Sequence, residues 1–75
     1  MSTIVYSKRT CPYCDQAKLL LSLRNVEYTE VVVGEDMATS EFVAMYPEQR
    51  SVPLIIMDGV KYGGYQQLRE HFDGQ

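Results

Sequence analysis

The segment Ile4-Val5-Tyr6-Ser7-Lys8-Arg9-Thr10-Cys11-Pro12-Tyr13-Cys14 decides how this chain is read. It passes from a β-branched and aromatic run, which predicts a strand over Ile4–Tyr6, to a cysteine pair split by two residues. Proline is favoured at the first position of a helix, where its missing N–H would be unpaired anyway. Pro12 therefore makes Cys11 the N-cap and Cys14 the third helical residue. An N-cap side chain accepts hydrogen bonds from the free N–H groups of the first turn, and the positive end of the helix dipole favours an anion there. Both effects stabilise Cys11 as a thiolate, the attacking species in thiol–disulfide exchange. Lys8 and Arg9 stand close enough in sequence to add to this. Cys14, one turn inward, suits a shielded resolving thiol.

Working outward, Pro12–Asn25 reads as a helix with Cys14, Ala17, Leu20 and Leu21 on one face, widened by Leu19 and Leu23. Tyr28–Val33 reads as a second strand stopped by Gly34. Asp36 is expected to cap a helix over Met37–Tyr46, ended by Pro47. Leu54–Met57 is a third strand. Asp58-Gly59 signals a two-residue hairpin into Val60–Tyr62, and Gly63-Gly64 breaks that strand before a closing helix over Tyr65–Phe72. The order β-α-β-α-β-β-α starts with a strand–helix–strand unit, which implies a right-handed parallel crossover. The later hairpin adds antiparallel strands. The expected architecture is α/β: a mixed four-stranded sheet with helices on both faces.

Length and charge bound the rest. The 75 residues fit a single domain over 1–75, and a domain this short buries only about 60% of its unfolded surface. A hydrophobic share of 45% permits a core. The net charge of −3 argues against nucleic acid, which needs a basic face. Apolar runs fall far short of the roughly 20 residues of a membrane helix, and the N-terminus has neither a basic n-region nor an apolar core of a signal peptide. A cytoplasmic protein is expected. The charge is unevenly spread: residues 1–26 carry Lys8, Arg9, Lys18 and Arg24 against Asp15, while residues 27–49 carry six acids and no Lys or Arg. Those acids are expected to form a solvated face away from the cysteines. Met37, Met45 and Met57 read as core fillers, and His71 as a C-terminal helix residue favoured by the dipole.

Two cysteines three apart close too small a loop to staple a fold. Zinc would need two further ligands, and the lone histidine, His71, stands near the opposite end of the chain. Redox chemistry and two inert buried thiols remain as readings, with the redox motif favoured by the strand and the proline-started helix around it.

Tyr6–Cys14 resembles the active-site segment of dithiol glutaredoxins. Ser51-Val52-Pro53 is similar to their Thr-Val-Pro loop, with Ser for Thr, and Tyr62-Gly63-Gly64-Tyr65 to their Gly-Gly glutathione-binding turn. The three motifs occur in the family's order and span nearly the whole chain. The resemblance implies a thioredoxin-like fold and glutathione-dependent reduction of protein disulfides and glutathione mixed disulfides. Cys11 would be nucleophile and Cys14 the resolving thiol. It implies a cis Val52–Pro53 bond that leaves the Val52 backbone to pair with the cysteinyl part of glutathione. Gly63 and Gly64 would let the γ-glutamyl carboxylate reach the N–H groups of Tyr65 and Gln66. Lys8, helped by Gln49 or Arg50, would pair with the glycyl carboxylate, and Tyr13 would pack on the ligand. Many relatives carry an acid just after the Gly-Gly turn; Gln66 and Gln67 stand there in this chain, which removes a charged partner for the ligand's α-ammonium and predicts weaker binding.

The implied partners are glutathione and disulfide-bearing proteins, with ribonucleotide reductase the family-level example. Neither a metal nor an oligomer is expected. Two alternatives remain: a redoxin recharged by thioredoxin reductase, against which Pro12-Tyr13 and the Gly-Gly turn speak, and a module holding an iron–sulfur cluster between two chains, which Pro12 disfavours.

Overall fold

The computed structural model describes residues 2–49 and 51–74. Seven elements follow one another: β1 (Thr3–Ser7), α1 (Pro12–Leu23), β2 (Thr29–Val32), α2 (Thr39–Met45), β3 (Leu54–Met57), β4 (Val60–Lys61) and α3 (Tyr65–Asp73). They form one four-stranded sheet in the order β2-β1-β3-β4. β1 pairs with β2 in parallel, and β1–β3 and β3–β4 are antiparallel. The fold is the mixed α/β arrangement expected from the sequence patterns, and the thioredoxin-like one that the resemblance implies.

Strand alternation sorts the core onto two faces. Val5 and Ile55 point to one, where they meet Ala17 and Leu21 of α1 and Leu68 and Phe72 of α3. Tyr6 and Leu54 point to the other, where they meet Phe42 of α2 and Val33. Tyr6 and Tyr46 approach through their hydroxyls at 3.3 Å. Burial, then the hydrogen bond to Tyr46, pushes the Tyr6 phenol up to about 12.

Register brings the functional end together. Tyr6 pairs with Leu54, so the C-terminal end of β1 lies beside the start of β3. The Tyr62 N–H donates to the Ile55 carbonyl at 2.8 Å, which turns the chain after β4 toward the same end. The Cys11 loop, Val52-Pro53 and Gly63-Gly64 therefore share one edge of the sheet. The Asp58-Gly59 turn sits at the opposite end, with both residues at positive φ (51° and 83°), as a type I′ turn demands.

Several local expectations are corrected. α1 stops at Leu23 rather than Asn25 because a Schellman motif ends it. Asn25 adopts φ 60°, Val26 N–H donates to Leu21 O at 2.9 Å, and Asn25 N–H to Ser22 O at 3.0 Å. Asp36 does not cap α2: its carboxylate accepts from the Val32 N–H at 2.9 Å, closing the β2–α2 turn. α2 begins two residues later than expected, with Ala38 at the N-cap and Glu41 accepting from the Ala38 N–H at 3.3 Å. Leu19 and Leu23 do not widen the buried face of α1, being 59% and 70% exposed. Met37 and Met57 pack against the two core clusters, but Met45 is exposed.

Candidate functional site

The start of α1 is shaped by its cysteines. Cys11 is the N-cap in extended conformation (φ −150°, ψ 97°), and Pro12 opens the helix. The Cys14 N–H donates to the Cys11 sulfur at 3.1 Å, so sulfur occupies the place of an oxygen cap. The two cysteines are joined in a disulfide. Cys14 is fully buried, while Cys11 is half-buried. The asymmetry follows from helix geometry: the cap lies at the helix mouth, and the third residue turns beneath it toward Ala17 and Leu21.

The Val52–Pro53 peptide bond is cis, as the resemblance implies. The Cys11 sulfur lies 3.8 Å from the Val52 carbonyl oxygen. A disulfide sulfur carries no proton to donate, so this is a close approach and not a hydrogen bond. Val52 precedes the β1–β3 ladder, which begins at Leu54, and its backbone is left facing the cysteine.

The third part is the start of α3. Gly63 takes φ 84°, a conformation open to glycine and costly for other residues. Gly64 is the N-cap of α3, and its N–H donates to Gln67 Oε1 at 3.1 Å. Gln67 thus folds back over the helix start. The first N–H groups of a helix have no partner inside it, and those of Tyr65 and Gln66 fall at this mouth.

These parts enclose one groove of about 540 Å³, lined in part by Tyr13, Val52, Pro53, Gly64, Tyr65 and Gln66. The rings of Tyr13 and Tyr65 lie 6.2 Å apart at 32°, and Tyr13 is 63% exposed. The sequence-predicted residues Cys11, Tyr13, Val52, Pro53, Gly63, Gly64, Tyr65 and Gln66 are thus brought to one edge of the sheet. Lys8 is exposed on the loop before Cys11 and makes no ion pair among the described residues, whereas Arg9 pairs with Glu35. Gln49 stands behind the groove. Its amide donates to Ser51 O at 2.6 Å and Gly63 O at 3.4 Å, linking the proline loop to the glycine turn. Arg50 lies outside the described residues.

One cluster escaped the sequence reading. The Ser7 hydroxyl, fully buried, donates to Glu30 Oε2 at 2.6 Å, and Lys18 Nζ lies 2.8 Å from the same oxygen. Hydrogen bonds from Lys18 and then Ser7 hold the Glu30 carboxyl below its ordinary value, and the bond to Glu30 holds Lys18 above its own. The cluster ties α1 to β1 and β2 one turn beyond Cys14. With Glu35 committed to Arg9, two of the six acids are not a detached solvated face. A signal was present: Lys18 stands four residues after Cys14, on the face that turns inward, where a cation needs a partner. Gln67 also carries a signal, three residues after its N-cap. The His71 ring packs at a tilt against Tyr62 and edge-on against Phe72, with ring centroids 4.7 and 5.3 Å away. Among the described residues no group of three or more His, Cys, Asp and Glu is placed to hold a metal, and no helix is long and apolar enough to cross a membrane.

A capping cysteine joined to a second cysteine one turn inward, beside a cis proline and a Gly-Gly helix mouth, is a redox site. A family model described as Glutaredoxin matches residues 3–61. The chain belongs to the glutaredoxin family. Glutaredoxin 3 of Escherichia coli K12 is 36% identical over 64 residues, covering 85% of this chain and 77% of that protein. Wheat glutaredoxin superposes with a TM-score of 0.86 at 25% identity, over 99% of this chain and 73% of that one. A buckwheat glutaredoxin–glutathione complex superposes with a TM-score of 0.77 at 26% identity, over 96% and 69%. This glutaredoxin carries the dithiol form of the site, a redox-active cysteine pair of a thiol–disulfide oxidoreductase.

Proposed function

We propose that this glutaredoxin reduces protein disulfides and glutathione mixed disulfides with glutathione as reductant. The observation that carries the reading is the Cys11 sulfur seated as the N-cap of α1, 3.8 Å from the Val52 carbonyl oxygen. The buckwheat glutaredoxin solved as a complex with glutathione supports the choice of reductant.

In a glutathione mixed disulfide, the Cys11 thiolate attacks the glutathionyl sulfur. The substrate's S–S bond breaks and its thiolate leaves, taking a proton from solvent. Cys11 then holds glutathione. A second glutathione thiolate attacks the glutathionyl sulfur, forming glutathione disulfide and restoring the Cys11 thiolate. In a protein disulfide, Cys11 forms a mixed disulfide with the substrate, and Cys14 attacks the Cys11 sulfur. The reduced substrate leaves, and two glutathiones reopen the Cys11–Cys14 bond.

Bound glutathione would lie along the groove as an extended segment. Its cysteinyl backbone pairs with Val52 across Pro53. Its γ-glutamyl carboxylate meets the N–H groups of Tyr65 and Gln66, which Gly63 and Gly64 leave open. Lys8 pairs with the glycyl carboxylate, and Tyr13 covers the ligand. Gln49 acts as a positioning residue, since its amide already holds Ser51 and Gly63.

The test is a pair of serine variants. Cys11→Ser should lose both activities by at least about a thousandfold, as for a removed nucleophile. Cys14→Ser should still reduce glutathione mixed disulfides and fail on intramolecular protein disulfides. Loss of both activities in Cys14→Ser, or turnover with thioredoxin reductase and none with glutathione, would overturn the assignment.

A further inference from the structure

Residues 1–26 carry four cations, Lys8, Arg9, Lys18 and Arg24, and the fold engages three of them. Lys18 is held by Glu30 and Asp15, at 2.8 and 3.5 Å. Arg24 lies over the Phe72 ring, 5.3 Å from its centroid. Arg9, two residues before Cys11, pairs with Glu35. Glu35 is set in place by the turn between β2 and α2. The Glu35 and Asp36 N–H groups donate to the Val32 carbonyl at 3.0 and 2.8 Å, and the Gly34 N–H donates to Met37 O at 2.7 Å. The Val33 N–H donates to Ser7 O at 2.8 Å, so the turn is moored to the strand end from which the cysteine loop leaves. The neighbouring acid, Asp36, is bound back on the Val32 N–H, which leaves Glu35 to meet the loop. The Arg9 and Glu35 side chains are 82% and 43% exposed, so their pair adds little to stability. What it changes is the charge beside Cys11: Lys8 and Arg9 supply two positive charges, and Glu35 cancels one.

We infer that Glu35 is a specificity-determining residue of the α1 mouth: by cancelling Arg9 it restrains the pull of the site on anionic disulfides and keeps it open to cationic ones. The inference rests on the reading of Cys11 as the attacking thiolate. Lys8 is left as the single uncancelled charge on the loop, enough to pair with one carboxylate. Charge at a reaction mouth acts on the encounter with a charged substrate and is screened by salt, so the effect has a signature that a change in packing lacks.

The experiment follows the reduced full chain carrying Cys14→Ser, so that one thiol reacts, with three small disulfides: cationic cystamine, anionic 3,3′-dithiodipropionate and neutral bis(2-hydroxyethyl) disulfide. In each, the Cys11 thiolate attacks one sulfur, the S–S bond breaks, the leaving thiolate takes a proton from solvent, and Cys11 keeps the other half as a mixed disulfide. Dividing by the rate with the neutral disulfide removes changes in Cys11 reactivity. Glu35→Gln should raise the anionic-to-cationic rate ratio about fourfold at roughly 0.01 M salt, the scale of one lightly screened charge near a surface. Arg9→Gln should lower the ratio by a similar factor, and the double variant should return it to that of the parent. All differences should vanish near 1 M salt, where the Debye length is about 3 Å. An unchanged ratio in Glu35→Gln, a change that survives 1 M salt, or a double variant that does not return to the parent ratio would each overturn the inference. A parent inert with all three disulfides would overturn the reading of Cys11 as nucleophile, and this inference with it.

Discussion

Two helix mouths open on the same edge of the sheet, and they are closed differently. At α1 the N-cap is a reactive side chain: the Cys11 sulfur takes the Cys14 N–H at 3.1 Å. At α3 the N-cap is Gly64, which has no side chain, and Gln67 reaches back to its N–H instead. Both mouths present a partial positive charge. The first is filled from within by the sulfur that reacts. The second leaves the N–H groups of Tyr65 and Gln66 for something from outside. The same helix physics can therefore hold an internal nucleophile at one site and an external carboxylate at the other, according to whether the cap brings a ligand of its own.

The supports of the two mouths differ as well. α1 is tied to the sheet by the Lys18–Glu30–Ser7 cluster, and Glu30→Ala strands a fully buried hydroxyl and a half-buried ammonium. The expected loss is about 2 kcal/mol, or roughly 10 °C in Tm for a domain of this size, read by thermal denaturation. Its pH dependence has a defined sign. Glu30 has a folded value below its ordinary 4.5, so its stabilisation is present above about that pH and fades as pH falls through the folded value. Lys18 is raised above its ordinary 10.5, so its part is complete below that and fades as pH rises through the folded value. The Tm gap between wild type and Glu30→Gln should be flat across the neutral range and narrow in acid. A gap that widens in acid would contradict the pairing.

At the α3 mouth the support is conformational. Gly63→Ala places a methyl where the nearest atom is Gln67 Cδ at 3.6 Å, ordinary contact, so the cost comes from φ 84° alone. A destabilisation of about 1 kcal/mol is expected, with a raised KM for glutathione. A neutral Gly63→Ala would show that the turn relaxes and does not set the mouth. Gln67→Ala should cost less, about 0.5 kcal/mol, the low end of a lost cap. Because it frees one more N–H, it should not weaken glutathione binding; a severalfold rise in KM would mean that Gln67 itself touches the ligand.

The difference between the mouths also explains what was legible beforehand. The α1 mouth was readable because proline and a cysteine spacing of three act locally, through cap geometry that needs no partner from elsewhere. The hairpin was readable for the same reason, since Asp58 and Gly59 both accept positive φ. The edge shared by Cys11, Val52 and Gly64 was reachable only through the family resemblance, because register across three strands decides it. Asp36 misled because an acid before a helix can cap it or reach back to an earlier N–H, and the Val32 N–H, four residues before it, won. Leu19 and Leu23 misled because α1 is covered on one side only, and apolar periodicity does not say how wide a cover is. The Glu30 cluster joins residues on three elements, so no window of sequence contained it.

On the proposed function, the α1 mouth holds reduced Cys11 as an anion. The most direct test is the pH titration of the Cys11 thiolate by its ultraviolet absorbance, in Cys14→Ser so that a single thiol titrates. An apparent pKa well below the free-thiol value of about 8.5 is predicted. A value at or above 8.5 would contradict the account.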